Sequence, residues 1–246
     1  MAKWKIASAV MTGTSHLEEN MPCQDFVRMR PTDEFMCVVM TDGAGSAKYS
    51  AESARLVAEE TRNILLSRST SLFDFNDEEI KNFIYDSLSV KLQHKASELS
   101  TSLYELACTL LFFVSDGKRF ISLNIGDGII GSINKEGVGA TILEQERGKY
   151  ANMSYFLTSS KSEEHIRVKQ GSLVPDNVYF LMTDGAASCL FDTKRKQYAN
   201  ALTLYSEWLR KYNYQQVSKS IESSMYKLFP LRTTDDCALA LFMVDK

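Results

Sequence analysis

Residues 38–46 read VVMTDGAGS, and residues 180–188 read FLMTDGAAS. The phrase M-T-D-G-A-x-S occurs twice, and each copy closes an apolar run. A run of strand length that ends in an aspartate and a glycine reads as a strand delivering a carboxylate to the end of a sheet. The flanks argue against an internal duplication. A helix-patterned stretch follows the first copy, whereas Cys189-Leu190-Phe191-Asp192 and a basic stretch follow the second. The two phrases are better read as two strand ends that meet at one site.

Two further runs fit the same scheme. Ile125 leads through Gly126 to Asp127, and the run Cys237–Val244 is preceded by Asp235-Asp236. Three of these acids stand at C-terminal strand ends and one pair at an N-terminal end. An antiparallel last strand would bring all of them to one end of the sheets. Carboxylates so gathered repel and raise one another's pKa, and a cation removes that cost. Oxygen-only ligands suit Mg²⁺ or Mn²⁺, and the lack of nearby His or Cys argues against zinc. Two such ions about 3.5–4 Å apart would polarise a phosphoryl oxygen and generate a hydroxide nucleophile near neutral pH. Gly43 and Gly185 would let the backbone turn sharply and bring a carbonyl close to a ligand. A single Asp-Gly at a strand end is a common turn. Its recurrence, twice within the same phrase, is what favours a site.

Working outward, the strand-like runs are Glu34–Met40, Leu106–Val114, Arg119–Ile125, Gly128–Ile133, Asn177–Met182 and Cys237–Val244. Asp116-Gly117 predicts a hairpin between the second and third of these, and Gly126-Asp127-Gly128 a further tight turn. Ala54, Val57, Ala58, Thr61, Ile64 and Leu65 share one face of a helix over Ala51–Leu66. Asn76 with Glu79 three places on is a capping-box signature opening a helix that carries Ile80, Phe83, Ile84 and Leu88. Val217, Ile221, Met225 and Leu228 share a face before Pro230. Strands in runs, joined by tight turns, predict antiparallel sheets with helices packed outside. The polar, poorly periodic stretch Gly137–Pro175 reads as a long surface insertion, a feature often tied to function.

Bulk properties narrow the classes. The chain has 246 residues, 44% hydrophobic and 24% charged, with a formal net charge of -3. Only four prolines occur and no linker-like stretch, so residues 1–246 are expected to form a single domain. Neither charge nor hydropathy suggests nucleic acid or a membrane as partner, and the N-terminal stretch is a poor signal peptide. A cytoplasmic location is expected. Five cysteines without a C-x-x-C suggest buried thiols rather than disulfides or zinc.

At these residues the sequence resembles the metal-dependent protein phosphatase family, of the phosphatase 2C type. The motifs occur in the family's order, nearly end to end. GTSHLEENMPCQD (Gly13 to Asp25) resembles the first acidic motif, and VVMTDGAG the D-G-H-G-G segment. Ala107-Cys108-Thr109 resembles the G-[ST]-T strand start, and Asn124-Ile125-Gly126-Asp127 the G-D-S-R turn. FLMTDGAAS resembles the L-x-[ST]-D-G segment, and Asp235-Asp236-Cys237-Ala238 the final D-N-x-T. The opening motif and D-G-A-G-S resemble a divergent bacterial branch.

The resemblance implies an α+β, four-layer α-β-β-α sandwich of two antiparallel sheets flanked by helices. It implies that Asp42 and Asp184, with the Gly43 carbonyl, hold a pair of Mn²⁺ or Mg²⁺ ions. Asp235 would ligate the second ion, Asp127 with Asp184 would form a third-ion position, and Asp25 would act directly or through water. The implied reaction is single-step hydrolysis of phosphoserine or phosphothreonine by a metal-bridging hydroxide. The implied partners are phosphorylated proteins and a cognate Ser/Thr kinase, and the Gly137–Pro175 stretch falls at the family's variable flap.

Three positions depart from the pattern. Ala44 stands where the family has a histidine, Asn20 falls near its phosphate-binding arginine, and Gly128-Ile129 replace Ser-Arg. His16 is the candidate to take over proton donation or phosphate binding, with Arg28 and Lys48 as weaker substitutes for the phosphate clamp. His94 and His165 are assigned no role. Other phosphatase chemistries fit less well: Cys23 and Arg28 are spaced C-x₄-R rather than C-x₅-R, no D-x-D follows an early strand, and no Walker spacing occurs. The rival of another class is a binding or regulatory module that kept the fold and lost most activity.

Overall fold

The computed structural model describes residues 3–146 and 154–245. In chain order the elements are β1 (Lys3–Met11), α1 (Thr14–Glu18), β2 (Asp25–Pro31), β3 (Met36–Asp42), α2 (Ser50–Ser67), α3 (Ser69–Leu72), α4 (Asp77–Glu98), β4 (Leu110–Ser115) and β5 (Arg119–Ile125). They continue with β6 (Ile129–Ile133), β7 (Gly139–Leu143), β8 (Arg167–Ser172), β9 (Val178–Met182), α5 (Asp184–Leu190), the short hairpin β10 (Phe191–Asp192) and β11 (Gln197–Tyr198), α6 (Asn200–Lys211), α7 (Tyr214–Leu228) and β12 (Cys237–Asp245). One five-stranded sheet has the order β1-β12-β9-β6-β7, the other β2-β3-β4-β5-β8. Their pairings are antiparallel.

The alternation of side chains along a strand builds the layers. In β3, Met36, Val38 and Met40 face the other sheet and, with Leu111 and Phe113 of the adjacent β4, share a core with Leu181, Ala240 and Phe242 of that sheet. Cys37 and Val39 face outward into a second core made by α2 and α4. In β12, Ala238, Ala240 and Phe242 lie between the sheets, while Leu239, Leu241 and Met243 pack beneath α5, α6 and α7. Both faces of these strands are covered, which is why they read as unbroken apolar runs. The result is the expected four-layer sandwich.

The helices follow their sequence signals. Asn76 and Glu79 form a complete capping box, Asn76 Oδ1 accepting from the Glu79 N–H at 3.0 Å and Glu79 Oε2 from the Asn76 N–H at 2.8 Å. Ile80, Ile84 and Leu88 are buried as predicted, and the face continues through Leu92 and Ala96. In α7 the buried face is Val217, Ile221 and Met225, but Leu228 is exposed, because the chain leaves the helix there toward Pro230. Cys37, Cys108, Cys189 and Cys237 are buried free thiols.

Two expectations change. The Asp116-Gly117 hairpin joins β4 to β5 as predicted, and Gly126-Asp127-Gly128 is a tight three-residue connection that carries the chain from β5 in one sheet to β6 in the other. The run Leu106–Val114 becomes a strand only at Leu110, after a 3₁₀ turn over Leu103–Leu106 and a single bridge between Cys108 and Gly43. The stretch Gly137–Pro175 is not a plain surface loop, since it supplies β7 to one sheet and β8 to the other. Residues 147–153 of it lie outside the described residues.

Candidate active site

Strand direction brings the acids together. Asp42 ends β3, Asp127 follows β5, Asp184 follows β9 and begins α5, and Asp235 precedes β12, which runs antiparallel to β9. Asp42, Asp127 and Asp184 each offer a carboxylate oxygen, and these oxygens all lie within 4.8 Å of one another. They line a cavity of about 150 Å³ shared with His16, Gln24, Gly43, Ala44, Thr109, Phe156 and Asp235. Asp235 is exposed at its rim. A larger groove of about 650 Å³ lies away from these acids, against α2 and α4.

Asp25 stands behind this group. It is buried opposite Asp42 in the β2–β3 register, and its Oδ2 accepts from Thr183 Oγ1 at 2.7 Å. Its Oδ1 is buried with no hydrogen-bond partner among the described residues. Burial, then the Asp184, Asp236 and Asp235 charges, push the Asp25 carboxyl well above the usual range, against the Thr183 hydrogen bond. Burial, then Asp25, Asp184 and Asp127, do the same to Asp42. Asp184 rises to about 7 through burial and the Asp127 and Asp235 charges. The same setting raises the Cys23 thiol to about 12, so it is no nucleophile.

The two glycines serve closeness rather than turning. Neither Gly43 nor Gly185 has a left-handed backbone. A Cβ on Gly43 would lie 2.8 Å from the Ser50 backbone, and one on Gly185 2.0 Å from the Asp236 carbonyl oxygen. Each lets a neighbouring segment pass against the acid it follows. Gly185 also lies in the first turn of α5, not in a loop.

His16 lies on α1 and reaches the cavity, held by a residue not singled out in the sequence. Asp236 is buried, and its carboxylate accepts from the Gly13 N–H at 2.7 Å and the Gln24 N–H at 2.6 Å, while Oδ2 lies 2.9 Å from His16 Nδ1. Its adjacency to Asp235 was the available signal; the partner 220 positions away was not readable. Thr109, Ser154 and Phe156 also line the cavity and were not singled out in the sequence as site residues. Thr109 Oγ1 accepts from the Asp42 N–H at 3.1 Å, and Ser154 Oγ donates to Asp127 Oδ2. Ala44 packs with Ala47, Ala107 and Phe156, so an apolar contact occupies the position of the family histidine. Arg28 and Lys48 do not reach the cavity. Arg28 is paired with Glu59, and Lys48 is exposed beside the Tyr49 ring. Asn20 is exposed in a left-handed turn after α1.

A two-sheet sandwich with helices on both outer faces and an acidic cluster where the sheets meet defines the class of metal-dependent phosphatase folds. The chain belongs to the protein phosphatase 2C family, whose model matches residues 12–223. It is 28% identical over 162 residues to Serine/threonine-protein phosphatase 3 of Escherichia coli (strain K12). That match spans 63% of this chain and 63% of the relative, less than two thirds of its length. Among solved structures, the serine/threonine phosphatase Stp1 of Staphylococcus aureus is similar with a TM-score of 0.70 at 12% identity, over 100% of this chain and 96% of that one. RsbX in complex with magnesium is similar with a TM-score of 0.59 at 14% identity, over 100% of each chain.

Proposed function

We propose that the chain is a Mg²⁺- or Mn²⁺-dependent protein serine/threonine phosphatase. The observation that carries this is the trio Asp42, Asp127 and Asp184, with oxygens within 4.8 Å of one another and no Lys or Arg lining their cavity among the described residues. The orphaned, buried Oδ1 of Asp25 adds a further unmatched acceptor beside them. An oxygen-only, electron-rich set of this kind fits hard divalent cations. Asp42 and Asp184, with the Gly43 carbonyl, would hold a pair of ions, Asp235 would complete the second, Asp127 with Asp184 would offer a third position, and Asp25 would act from behind. Bound ions would supply Lewis acidity toward the phosphoryl oxygens and a water made nucleophilic near neutral pH.

The chain's own residues do the rest. Thr109 fixes the Asp42 backbone, Thr183 orients Asp25, and His16 is the only basic side chain lining the cavity among the described residues. On this reading residues 1–246 form one catalytic domain. The 137–175 stretch acts as its flap, supported by Ser154 and Phe156 at the cavity. The protein would work in the cytoplasm on phosphoserine and phosphothreonine proteins, opposite a Ser/Thr kinase. The name of the E. coli relative, a serine/threonine-protein phosphatase, and the magnesium complex of RsbX support this reading.

Ala44 favours a second reading, a regulatory module with little activity. The clustered acids weigh against it, because without a cation they cost stability. Hydrolysis of p-nitrophenyl phosphate and a phosphothreonine peptide by purified protein, with and without Mn²⁺ or Mg²⁺, decides between them. Turnover that needs the metal and vanishes in Asp42→Asn and Asp184→Asn supports the phosphatase. No turnover of either substrate supports the module.

A further inference from the structure

We infer that His16 is the proton donor to the leaving oxygen and that Asp236 is the positioning residue that makes it one. The inference rests on the chain being a phosphomonoester hydrolase, and it starts from the Asp236 carboxylate. That group is 2% exposed, yet two backbone N–H groups and an imidazole nitrogen meet it. Two of these contacts, from Gly13 and Gln24, fix both ends of the loop that carries α1. The third fixes the ring itself. A carboxylate can only accept, so the His16 nitrogen facing it, Nδ1, carries a hydrogen. Nε2 is left as the nitrogen that serves the cavity. The same logic sets histidine tautomers wherever a carboxylate backs the ring.

The packing around the pair leaves the ring little freedom. A Cβ on Gly13 would lie 2.3 Å from the Thr234 carbonyl oxygen, and Ser15 binds that same oxygen through both its N–H and its Oγ. The segment 13–16 is therefore held flush against 234–236, with Asp235 at the cavity rim beside it. His16 is the only basic side chain at the cavity among the described residues, and Ala44 offers no proton. In the step assigned to it, water's oxygen bonds to phosphorus and the bond from phosphorus to the serine or threonine oxygen breaks. The electron pair of that bond stays on the departing oxygen, which takes the Nε2 proton of protonated His16. Water's proton passes to solvent, and the ring takes a proton back from solvent.

A proton donor matters for an alkoxide and little for nitrophenolate, which leaves as a stable anion. His16→Gln should therefore lower kcat on a phosphothreonine peptide by about 10²–10⁴-fold and on p-nitrophenyl phosphate by less than about tenfold. Asp236→Asn, which turns a donor toward Nδ1, should give the same selective loss. His16→Gln alone decides the point should Asp236→Asn fail to fold. Equal losses on both substrates, or a raised KM with kcat kept, would overturn the assignment while leaving the phosphatase reading intact. No turnover by the wild type would overturn the phosphatase reading itself. A readout independent of turnover is the ¹⁵N spectrum of the His16 ring in the metal-free protein. The neutral ring should be protonated at Nδ1 in the wild type and at Nε2 in Asp236→Asn. Protonation at Nε2 in the wild type would overturn Asp236 as the positioning residue.

Discussion

Thr183 Oγ1 donates to Asp25 Oδ2 at 2.7 Å and accepts from the Ala238 N–H at 2.9 Å. Thr183 follows β9 in one sheet, and Asp25 begins β2 in the other. One buried hydroxyl thus links the two sheets directly behind the acidic cluster. Thr183→Val keeps the shape and removes both bonds, stranding a buried carboxylate and a buried N–H. Stability should fall by about 1–3 kcal/mol in urea denaturation, and Thr183→Ser should recover most of it. A valine variant as stable as the wild type would show that the link carries no energy.

The cluster predicts an inverted pH dependence for the metal-free protein. The folded-state pKa values of Asp25 and Asp42 lie well above the ordinary carboxylate value, and that of Asp184 lies at about 7. Between about pH 4, where unfolded carboxylates ionise, and pH 7, the folded state holds more protons than the unfolded one. Stability therefore falls as pH rises through this window. Melting in the presence of a chelator should give a higher Tm at pH 5 than at pH 7.5. Asp25→Asn, which removes the most deeply buried of these charges, should flatten the difference. A Tm that rises steadily from pH 5 to 7.5 would contradict the burial of uncompensated acids.

Which strands were legible in the sequence follows from where they lie. The six predicted runs became β3, β4, β5, β6, β9 and β12, the central strands of the two sheets. Apart from the short hairpin β10–β11, the strands that went unread, β1, β2, β7 and β8, are the four edges of these sheets. A central strand is covered on both faces and shows as a solid apolar run, as in the fully buried VYFLM of β9. An edge strand is half wet and has one unpaired backbone side. It carries charges and breakers, such as Arg28, Arg30 and Pro31 in β2 or Arg167 and Lys169 in β8. The site divides in the same way. Acids at the ends of central strands were readable because the strands were. The His16–Asp236 pair was not, because tertiary packing alone brings the loop of 12–24 against the start of β12.

Gly185 gives a test of how tightly that packing is set. An added methyl would lie 2.0 Å from the Asp236 carbonyl oxygen, a backbone atom that cannot swing aside, with Cys237 Sγ only 3.1 Å away. Gly185→Ala should cost about 1–3 kcal/mol as an overpacked site, although alanine is the better helix former in α5. Chemical denaturation measures the balance. A stabilised variant would mean that α5 can shift away from the start of β12 without penalty.

Cation binding should itself be visible as stability. A ligand that binds only the folded state adds about 2.7 kcal/mol at a hundredfold excess over its Kd. In a domain of this size each kcal/mol moves Tm by roughly 2–4 °C, so saturating Mn²⁺ or Mg²⁺ should raise Tm by about 5–10 °C. Asp42→Asn and Asp184→Asn each remove one member of the trio and relieve repulsion within it. Both variants should melt at or above the metal-free wild type at pH 7.5, and both should lose most of the cation-induced rise. The gain without metal and the loss with it must occur in the same variant, since that combination separates a cation site from a cluster that is merely structural. A wild type whose melting is indifferent to divalent cations, or an Asp184→Asn variant that keeps the full rise, would remove Asp184 from the ligand set.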